Sequence, residues 1–340
     1  MSAALDTGVV ESAARPKVAR SRRRSGWLLL VAVAVVAVLG YAPYVVTQDI
    51  TDPMVDFFTL LILGTMWNVL AGYAGLVSVG QQAYIGIGAY TVLWLALHGV
   101  NSFTAIPLAA VVSGVIAIPV SFLLFRLTGG YFAIATWVVA EVFYYLAIRI
   151  DEFGGGTGAN LPPMNYSASL LGALTYWASL AVAVLAVGGS YLLLRSRVGL
   201  ALTAIRDNPV AAGSVGVRVS LAKRLVYVFA CAGAGAAGAL VIIEQLGVQP
   251  GDTTGVFGIT YSAQMLFVVL IGGLGSLEGP ILGTIVFFTL QQTLANYGGW
   301  YLIVVGLVAI VMAMYLRGGL WGLVERFGVR LFPVGYWVRD

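Results

Sequence analysis

The feature that most restricts what this chain can fold into is a series of long apolar stretches. An α-helix needs about 20 apolar residues to cross a hydrocarbon core of about 30 Å, and about ten stretches approach this length. They are 27–47, 55–73, 80–99, 103–125, 131–150, 169–194, 222–246, 258–274, 279–297 and 299–316. Only 9% of the residues are charged, against about 25% in a soluble domain. The sequence therefore predicts an all-α polytopic membrane protein with about ten transmembrane helices.

The distribution of positive charge predicts the orientation of these helices. If the N-terminus is cytoplasmic, 17 of the 18 Lys and Arg residues lie on the inner side and only Arg149 lies outside. This agrees with the rule that cytoplasmic loops carry the excess of positive charge. We expect a multi-pass protein of the plasma (inner) membrane with both termini cytoplasmic. It has a basic tail at 1–26, a transmembrane domain at 27–316 with an inner loop at 195–221, and a second tail at 317–340.

Reactive side chains are too few for an enzyme or a metal site. The chain has one histidine, His98, and one cysteine, Cys231, on different apolar segments, which is below the usual ligand count of a metal site. The phosphate-binding motif of ATPases needs a Gly-Lys pair, and neither Lys17 nor Lys223 follows a glycine. We expect no catalytic residue, no metal, no cofactor bound by this chain and no nucleic-acid partner.

A Gly-rich break interrupts the stretch WNVLAGYAGLVSVGQQAYIGIGAYT at 67–91. Non-helical backbone at membrane depth is tolerated only against protein or a water-filled cavity, and such breaks mark translocation sites. The alternative is a tight inner-side turn with close packing. The polar residues predicted to line a translocation pathway here are Asn68, Ser78, Gln81, Gln82 and Tyr84.

A second break occurs at IGGLGSLEGPILGTIV (271–286). Gly275, Gly279 and Gly283 are spaced by four residues, which predicts one helix face without side chains.

Glu141 is the sixth candidate for the pathway. It lies near the middle of segment 131–150, where an ionised group costs on the order of 3 kcal/mol or more. We therefore expect it to face the bundle interior or a cavity. A role in the pathway and a structural carboxyl remain equally open.

The inner loop contains a short helix with recognisable ends. In AIRDNPVAAGSVGV (204–217), Asn208 is a preferred N-cap, Pro209 suits the first helical position and Gly216 can end the helix. A helix of about seven residues is not stable alone, so a partner must pack on it. Small apolar residues favour docking to another protein over lying on the membrane, which would require larger apolar side chains.

Four stretches resemble the LivH/LivM-type permease family of ABC importers for branched-chain amino acids. They are NVLAGYAGLVSVGQQAYIGIGAYT, GGYFAIATWVVAE, SRVGLALTAIRDNPVAAGSVGV and FVVLIGGLGSLEGPILGT, in the family's order. The resemblance implies a permease subunit that translocates branched-chain or related hydrophobic amino acids. It also implies two separate ATPase subunits that bind ATP and Mg²⁺, a second permease (LivH-like or a copy of this chain) and an extracytoplasmic solute-binding protein.

The resemblance further implies that the inner loop couples the permease to the ATPases. The residues that match this coupling element are Arg206, Asp207, Asn208, Ala211, Ala212 and Gly216. The chain departs from the family at Gln81, Thr128 and Glu278, which leaves the substrate open to urea, short amides or aromatic acids. An alternative of another class is an ion-coupled secondary transporter that uses Glu141.

Overall fold

The structure is a computed structural model. It describes residues 17–19, 22–251, 255–294, 300–316, 318–326 and 337–339.

Thirteen α-helices form most of the described part of the chain. They are α1 (Arg22–Val45), α2 (Gln48–Asn68), α3 (Gln82–Leu97), α4 (Ser102–Leu124), α5 (Gly130–Ala147), α6 (Ala168–Arg195), α7 (Arg197–Asp207), α8 (Pro209–Ser214), α9 (Val219–Gln245), α10 (Ile259–Gly272), α11 (Gly279–Leu294), α12 (Trp300–Tyr315) and α13 (Gly319–Arg326). A π-helical turn, Val69–Tyr73, continues α2. Two 3-10 turns, Asp151–Phe153 and Gly155–Thr157, lie between α5 and α6.

Strands are very short in the described ranges. The four strands are β1 (Lys17–Ala19), β2 (Ala159–Asn160), β3 (Gly247–Val248) and β4 (Trp337–Arg339). β1 pairs antiparallel with β4, and β2 pairs antiparallel with β3. The second pair joins the connection after α5 to the end of α9.

Each predicted apolar segment falls on a helix, but α1 and α2 begin before the predicted positions. α1 begins at Arg22 rather than at residue 27, and α2 begins at Gln48 rather than at residue 55. The reason is that hydropathy detects only the apolar part of a helix and misses polar turns at its ends. The first turn of α2 is polar and carries Asp49, a charge that favours a helix N-terminus.

The helices make a polytopic membrane protein. Five of them, with the π-helical turn counted as part of α2, are long and apolar enough to cross a membrane. Within those five spans, the apolar window is 83% buried in α2 and 78% buried in α9, but only 22% buried in α5. α9 packs against α2, α3, α4 and α6. α2 and α9 therefore form the centre of the bundle, and α5 lies at its periphery.

Both predicted breaks are present as interruptions between helices. The π-helical turn ends at Tyr73, and helix resumes only at Gln82. The second interruption separates α10, which ends at Gly272, from α11, which begins at Gly279. The expectation of one bare helix face was wrong for Gly275, because that residue lies in the connection with a φ of +80° rather than on α11.

Candidate functional site

The two Gly-rich breaks meet each other, although about 200 residues separate them in sequence. Asn68 joins them: its Oδ1 accepts from the backbone N–H of Gly275 at 2.9 Å, and its Nδ2 donates to the carbonyl of Ser276 at 2.7 Å. A Cβ atom on Gly72 would lie 2.6 Å from the Gly275 nitrogen, so only glycine allows this approach. We call the residues Asn68, Gly72, Gly275 and Ser276 the break junction.

Arg206 of α7 is the fifth group at the break junction. Its Nη1 donates to the carbonyl oxygen of Gly72 at 2.9 Å, and the same nitrogen lies 3.1 Å from the position that a Cβ on Gly275 would take. The guanidinium therefore binds the first break and lies beside the second. A hydrogen bond from a charged donor is about twice as strong as a neutral one.

Side chains of three helices satisfy the backbone of the first break. The Trp67 indole donates to the Ser78 carbonyl at 2.7 Å, and the Val79 N–H donates to Oγ1 of Thr136 at 3.1 Å. Ser262 Oγ donates to the Val79 carbonyl at 3.0 Å. The break is thus held by α2, α5 and α10. This explains how extended backbone persists within an apolar bundle.

Gln81 and Gln82 are fully buried where this break ends. Oε1 of Gln82 also lies within hydrogen-bond reach of Ser262 Oγ, whose single proton serves either this oxygen or the Val79 carbonyl. The remaining amide atoms, both of Gln81 and Nε2 of Gln82, have no hydrogen-bond partner among the described residues. Ser78 is also buried, and its hydroxyl accepts weakly from the Gly80 N–H at 3.4 Å.

Tyr84 belongs to the packed centre of the bundle. Its hydroxyl is 3.0 Å from the hydroxyl of Tyr227 on α9, and both rings are almost completely buried. The two rings meet edge to face with their centroids 5.9 Å apart. Tyr84 therefore fixes α3 against α9.

The hydrogen bond of Glu141 is made within α5 and not with a residue of either break. Its Oε1 accepts from the Trp137 indole of the same helix at 3.0 Å, and the side chain is partly exposed. The side chain is half-buried and bonds within its own helix, and α5 packs mainly against α3. A role of Glu141 in the pathway therefore stays a prediction.

The short capped helix of the inner loop is confirmed as α8. Oδ1 of Asn208 accepts from the N–H groups of Val210 and Ala211, each at 3.0 Å, and Pro209 takes the first position. At the other end, Gly216 has a φ of +87°. The Val217 N–H donates to the Ala212 carbonyl at 3.1 Å, and the Gly216 N–H donates to that of Gly213 at 3.0 Å. These bonds form the Schellman motif that ends helices.

The candidate coupling residues divide between two surfaces. Arg206, Asp207, Asn208, Ala211 and Gly216 are exposed. Ala212 is buried against the chain itself at 4% exposure, so it does not contribute to the exposed surface of α8. α7 packs inward through Leu202 and Ile205. These contacts, together with Arg206, fix α7 to the bundle and leave α8 projecting.

Sequence reasoning missed Thr136 and Ser262, as well as the contact of Gly72 with Gly275. A lone hydroxyl in an apolar helix carries no local signal, because it can equally bond to its own backbone. Thr136 also donates in this way to the Ala133 carbonyl.

An open groove of about 470 Å³ lies between α3, α4 and α5. Its walls are strongly apolar and include Tyr90, Trp94, Leu108, Phe143 and Phe257. In the described part of the chain, no group of three or more His, Cys, Asp or Glu residues could hold a metal ion.

These features define a class: a polytopic α-helical membrane protein with broken helices, which are typical of transport proteins. The family described as the branched-chain amino acid transport system, permease component, matches residues 50–318. The chain therefore belongs to this family of membrane transport permeases.

Individual relatives agree with the family assignment. The chain is 27% identical over 321 residues to the "High-affinity branched-chain amino acid transport system permease protein LivM" of Salmonella typhimurium, covering 86% of this chain and 74% of that protein. The values for LivM of Escherichia coli (strain K12) are the same. A "Probable branched-chain amino acid transport permease protein LivH" of Methanocaldococcus jannaschii is 21% identical over 71% of this chain and 78% of its own length. No solved structure matches the chain.

Proposed function

We propose that the chain is the transmembrane permease subunit of an ABC importer in the plasma membrane. It translocates branched-chain or related hydrophobic amino acids, as the names of its relatives support. ATP and Mg²⁺ bind to two separate ATPase subunits. A second permease and an extracytoplasmic solute-binding protein complete the assembly.

The observation that carries this proposal is the connection from α8 to the breaks. α8 projects Val210 and Val215, which are 79% and 80% exposed, on a helix too short to be stable without a partner. α7 joins it directly to the break junction through Arg206. A force applied to α8 from outside the bundle therefore reaches the two breaks through one short path.

The proposed topology has ten transmembrane helices, α1–α6 and α9–α12, with both tails in the cytoplasm. The positive charges support it, since 17 of 18 lie on the proposed inner side. The antiparallel pair of β1 and β4 brings the two tails together on one side of the molecule. α7 and α8 then lie in the cytoplasm, where ATPase subunits are accessible.

The structure supports a transport cycle in which the break junction changes shape. When the ATPases close on ATP, they would move α8, and α7 would transmit the movement to Gly72 and Gly275. Glycine in both breaks allows the backbone to take new angles at low cost. The solute-binding protein would supply much of the selectivity, and the breaks would supply a gated path.

A substitution on the exposed face of α8 tests docking. Val210→Asp places a charge on the surface that the ATPase would bury, where an unpaired charge is strongly unfavourable. We expect the variant to lose co-purification with the ATPase subunits and to lose ATP-dependent uptake of leucine in proteoliposomes.

Leu127→Asp is the matched control, because Leu127 is 40% exposed in the connection between α4 and α5, which the topology also places inside. The Leu127→Asp variant should still co-purify with the ATPase subunits and take up leucine in an ATP-dependent way. Normal co-purification and uptake by Val210→Asp would contradict the proposal.

The ion-coupled alternative receives no support from the contacts of Glu141. Proteoliposomes that contain the permease without ATPase subunits distinguish the two functions. We expect no uptake under a proton or sodium gradient. Gradient-driven uptake that Glu141→Gln abolishes would overturn the ABC proposal.

A further inference from the structure

Three cations lie at one end of the helix pair α4 and α9. Arg126 follows the last turn of α4, and Lys223 and Arg224 lie in the second turn of α9. The two helices pack against each other, and the guanidinium carbon of Arg224 lies 3.7 Å from the centre of the Phe122 ring on α4. Arg126 follows Phe122 by four residues, which is about one helical turn. The end of α4 and the start of α9 therefore bring the three positive charges to one region.

The described residues supply no negative charge to these cations. Arg126, Lys223 and Arg224 form no ion pair within the described part of the chain. The first turn of α9 contains no acidic residue, although a helix N-terminus favours negative charge and disfavours positive charge. An anion from outside the chain would therefore stabilise this end of the helix pair.

The guanidinium of Arg224 is held in a geometry that suits a phosphate. Its position over the Phe122 ring is a cation–π contact, and its Nε is enclosed without a hydrogen-bond partner among the described residues. Neither Nη group is both enclosed and unpaired, and neither forms a hydrogen bond within those residues. The two Nη groups are thus accessible on a side chain whose plane is fixed by stacking. Such a planar fork matches the oxygen atoms of a phosphate.

Apolar side chains surround the three cations on the outside of the bundle. Leu221 and Leu225 lie one turn apart on α9 beside Arg224, and both are exposed, as are Phe122 and Leu123 of α4. α4 and α9 are long and apolar enough to cross a membrane, so exposed apolar residues on them face hydrocarbon. The cations therefore lie where acyl chains meet head groups. A phospholipid presents both of the surfaces that this region would contact.

We propose that this end of the helix pair binds an anionic phospholipid of the cytoplasmic leaflet. Arg126, Lys223 and the Nη groups of Arg224 bind the phosphate, and the exposed side chains of Phe122 and Leu225 contact the acyl chains. Basic pockets between transmembrane helices on the cytoplasmic side are typical binding sites for anionic head groups. The proposed topology places this end of α4 and α9 in the cytoplasmic leaflet, and the lipid contacts neither the breaks nor α8.

Native mass spectrometry of the full-length permease tests the site. The protein is equilibrated in detergent with equal amounts of phosphatidylglycerol and phosphatidylcholine that carry the same acyl chains. We expect the wild type to retain phosphatidylglycerol in preference. Arg126→Gln should retain roughly fivefold less of it, because each cation at a lipid surface strengthens binding by about this factor. Arg197→Gln removes one exposed cation at the start of α7 and should retain as much as the wild type.

Two further measurements exclude a folding defect and identify the source of the phosphate. Arg126 is exposed and its side chain forms no hydrogen bond among the described residues, so Arg126→Gln should have the wild-type thermal midpoint in lipid-free detergent. Added phosphatidylglycerol should raise that midpoint more in the wild type than in the variant. Glycerol phosphate, which is a phosphate without acyl chains, should not displace the bound lipid.

Three results would overturn the proposal. The first is equal retention of the two phospholipids by the wild type. The second is an equal loss of phosphatidylglycerol from Arg126→Gln and Arg197→Gln, which would show an effect of net charge alone. The third is displacement of the lipid by glycerol phosphate, which would show a site for a soluble anion. These measurements use no ATPase subunit and no transported substrate, so a failure of ATP-driven uptake is a separate result.

Discussion

Arg206 illustrates, at the residue scale, that the position of a residue in a loop does not determine where its side chain points. The family resemblance implied that it belongs to the element that couples the permease to the ATPases. In the structure its guanidinium turns to the carbonyl of Gly72. The nearby Asp207 carboxylate, 3.6 Å from Nε, is 73% exposed, and an exposed ion pair contributes little. The contact with the break is therefore the important one.

Replacing Arg206 should separate ATP hydrolysis from transport. Arg206→Ala removes a charge-assisted hydrogen bond worth about 1.5–3 kcal/mol. We expect the ATPase subunits still to bind and hydrolyse ATP, while leucine uptake in proteoliposomes falls at least about tenfold.

The matched control is Arg218→Ala, an exposed arginine in the same loop, which should transport normally. Wild-type uptake by Arg206→Ala would show that the contact with Gly72 does not transmit movement.

At the scale of elements, α8 was predictable because its ends are local. Asn208, Pro209 and Gly216 act on backbone groups within a few residues of themselves, and the structure has those bonds. The buried side of α8 was not predictable. Ala211 and Ala212 are chemically identical, and only the tertiary packing of α8 buries Ala212 and leaves Ala211 exposed.

Removing the N-cap should loosen α8 without unfolding the bundle. Asn208→Ala loses two hydrogen bonds and destabilises the helix by about 1 kcal/mol. Because 1 kcal/mol is roughly a fivefold change in a folding equilibrium, amide exchange at 210–215 should rise roughly fivefold. We also expect slower uptake.

Asn208→Asp keeps an acceptor at the N-cap and should exchange and transport like the wild type. Unchanged exchange in Asn208→Ala would mean that packing, and not the cap, holds α8 in place.

At the scale of the whole molecule, ten helices and two cytoplasmic tails remain predictions that labelling can test. The single cysteine, Cys231, is buried, so Cys231→Ala provides a background for new cysteines. In that background, Thr157→Cys should react with a membrane-impermeant maleimide in intact spheroplasts.

Val210→Cys should react only after the membrane is opened. Labelling of Val210→Cys in intact spheroplasts would show that α8 lies outside the cell and that the proposed orientation is wrong.

The sequence determined by itself the class of fold, the positions of the apolar helices and the two breaks, whereas α13 lies in a segment predicted only as a tail. Hydropathy, glycine and capping residues act locally, so each can be read within a window of about 20 residues. This is why α2 could be located but its polar first turn was missed.

The tertiary structure alone decided which parts meet. No local sequence pattern predicts that Asn68 binds Gly275, that Ser262 binds the Val79 carbonyl, or that Arg206 binds the Gly72 carbonyl. Each contact connects residues more than 130 positions apart, and its geometry depends on how whole helices pack. The sequence therefore located the breaks and the short helix, and only packing made them one connected site.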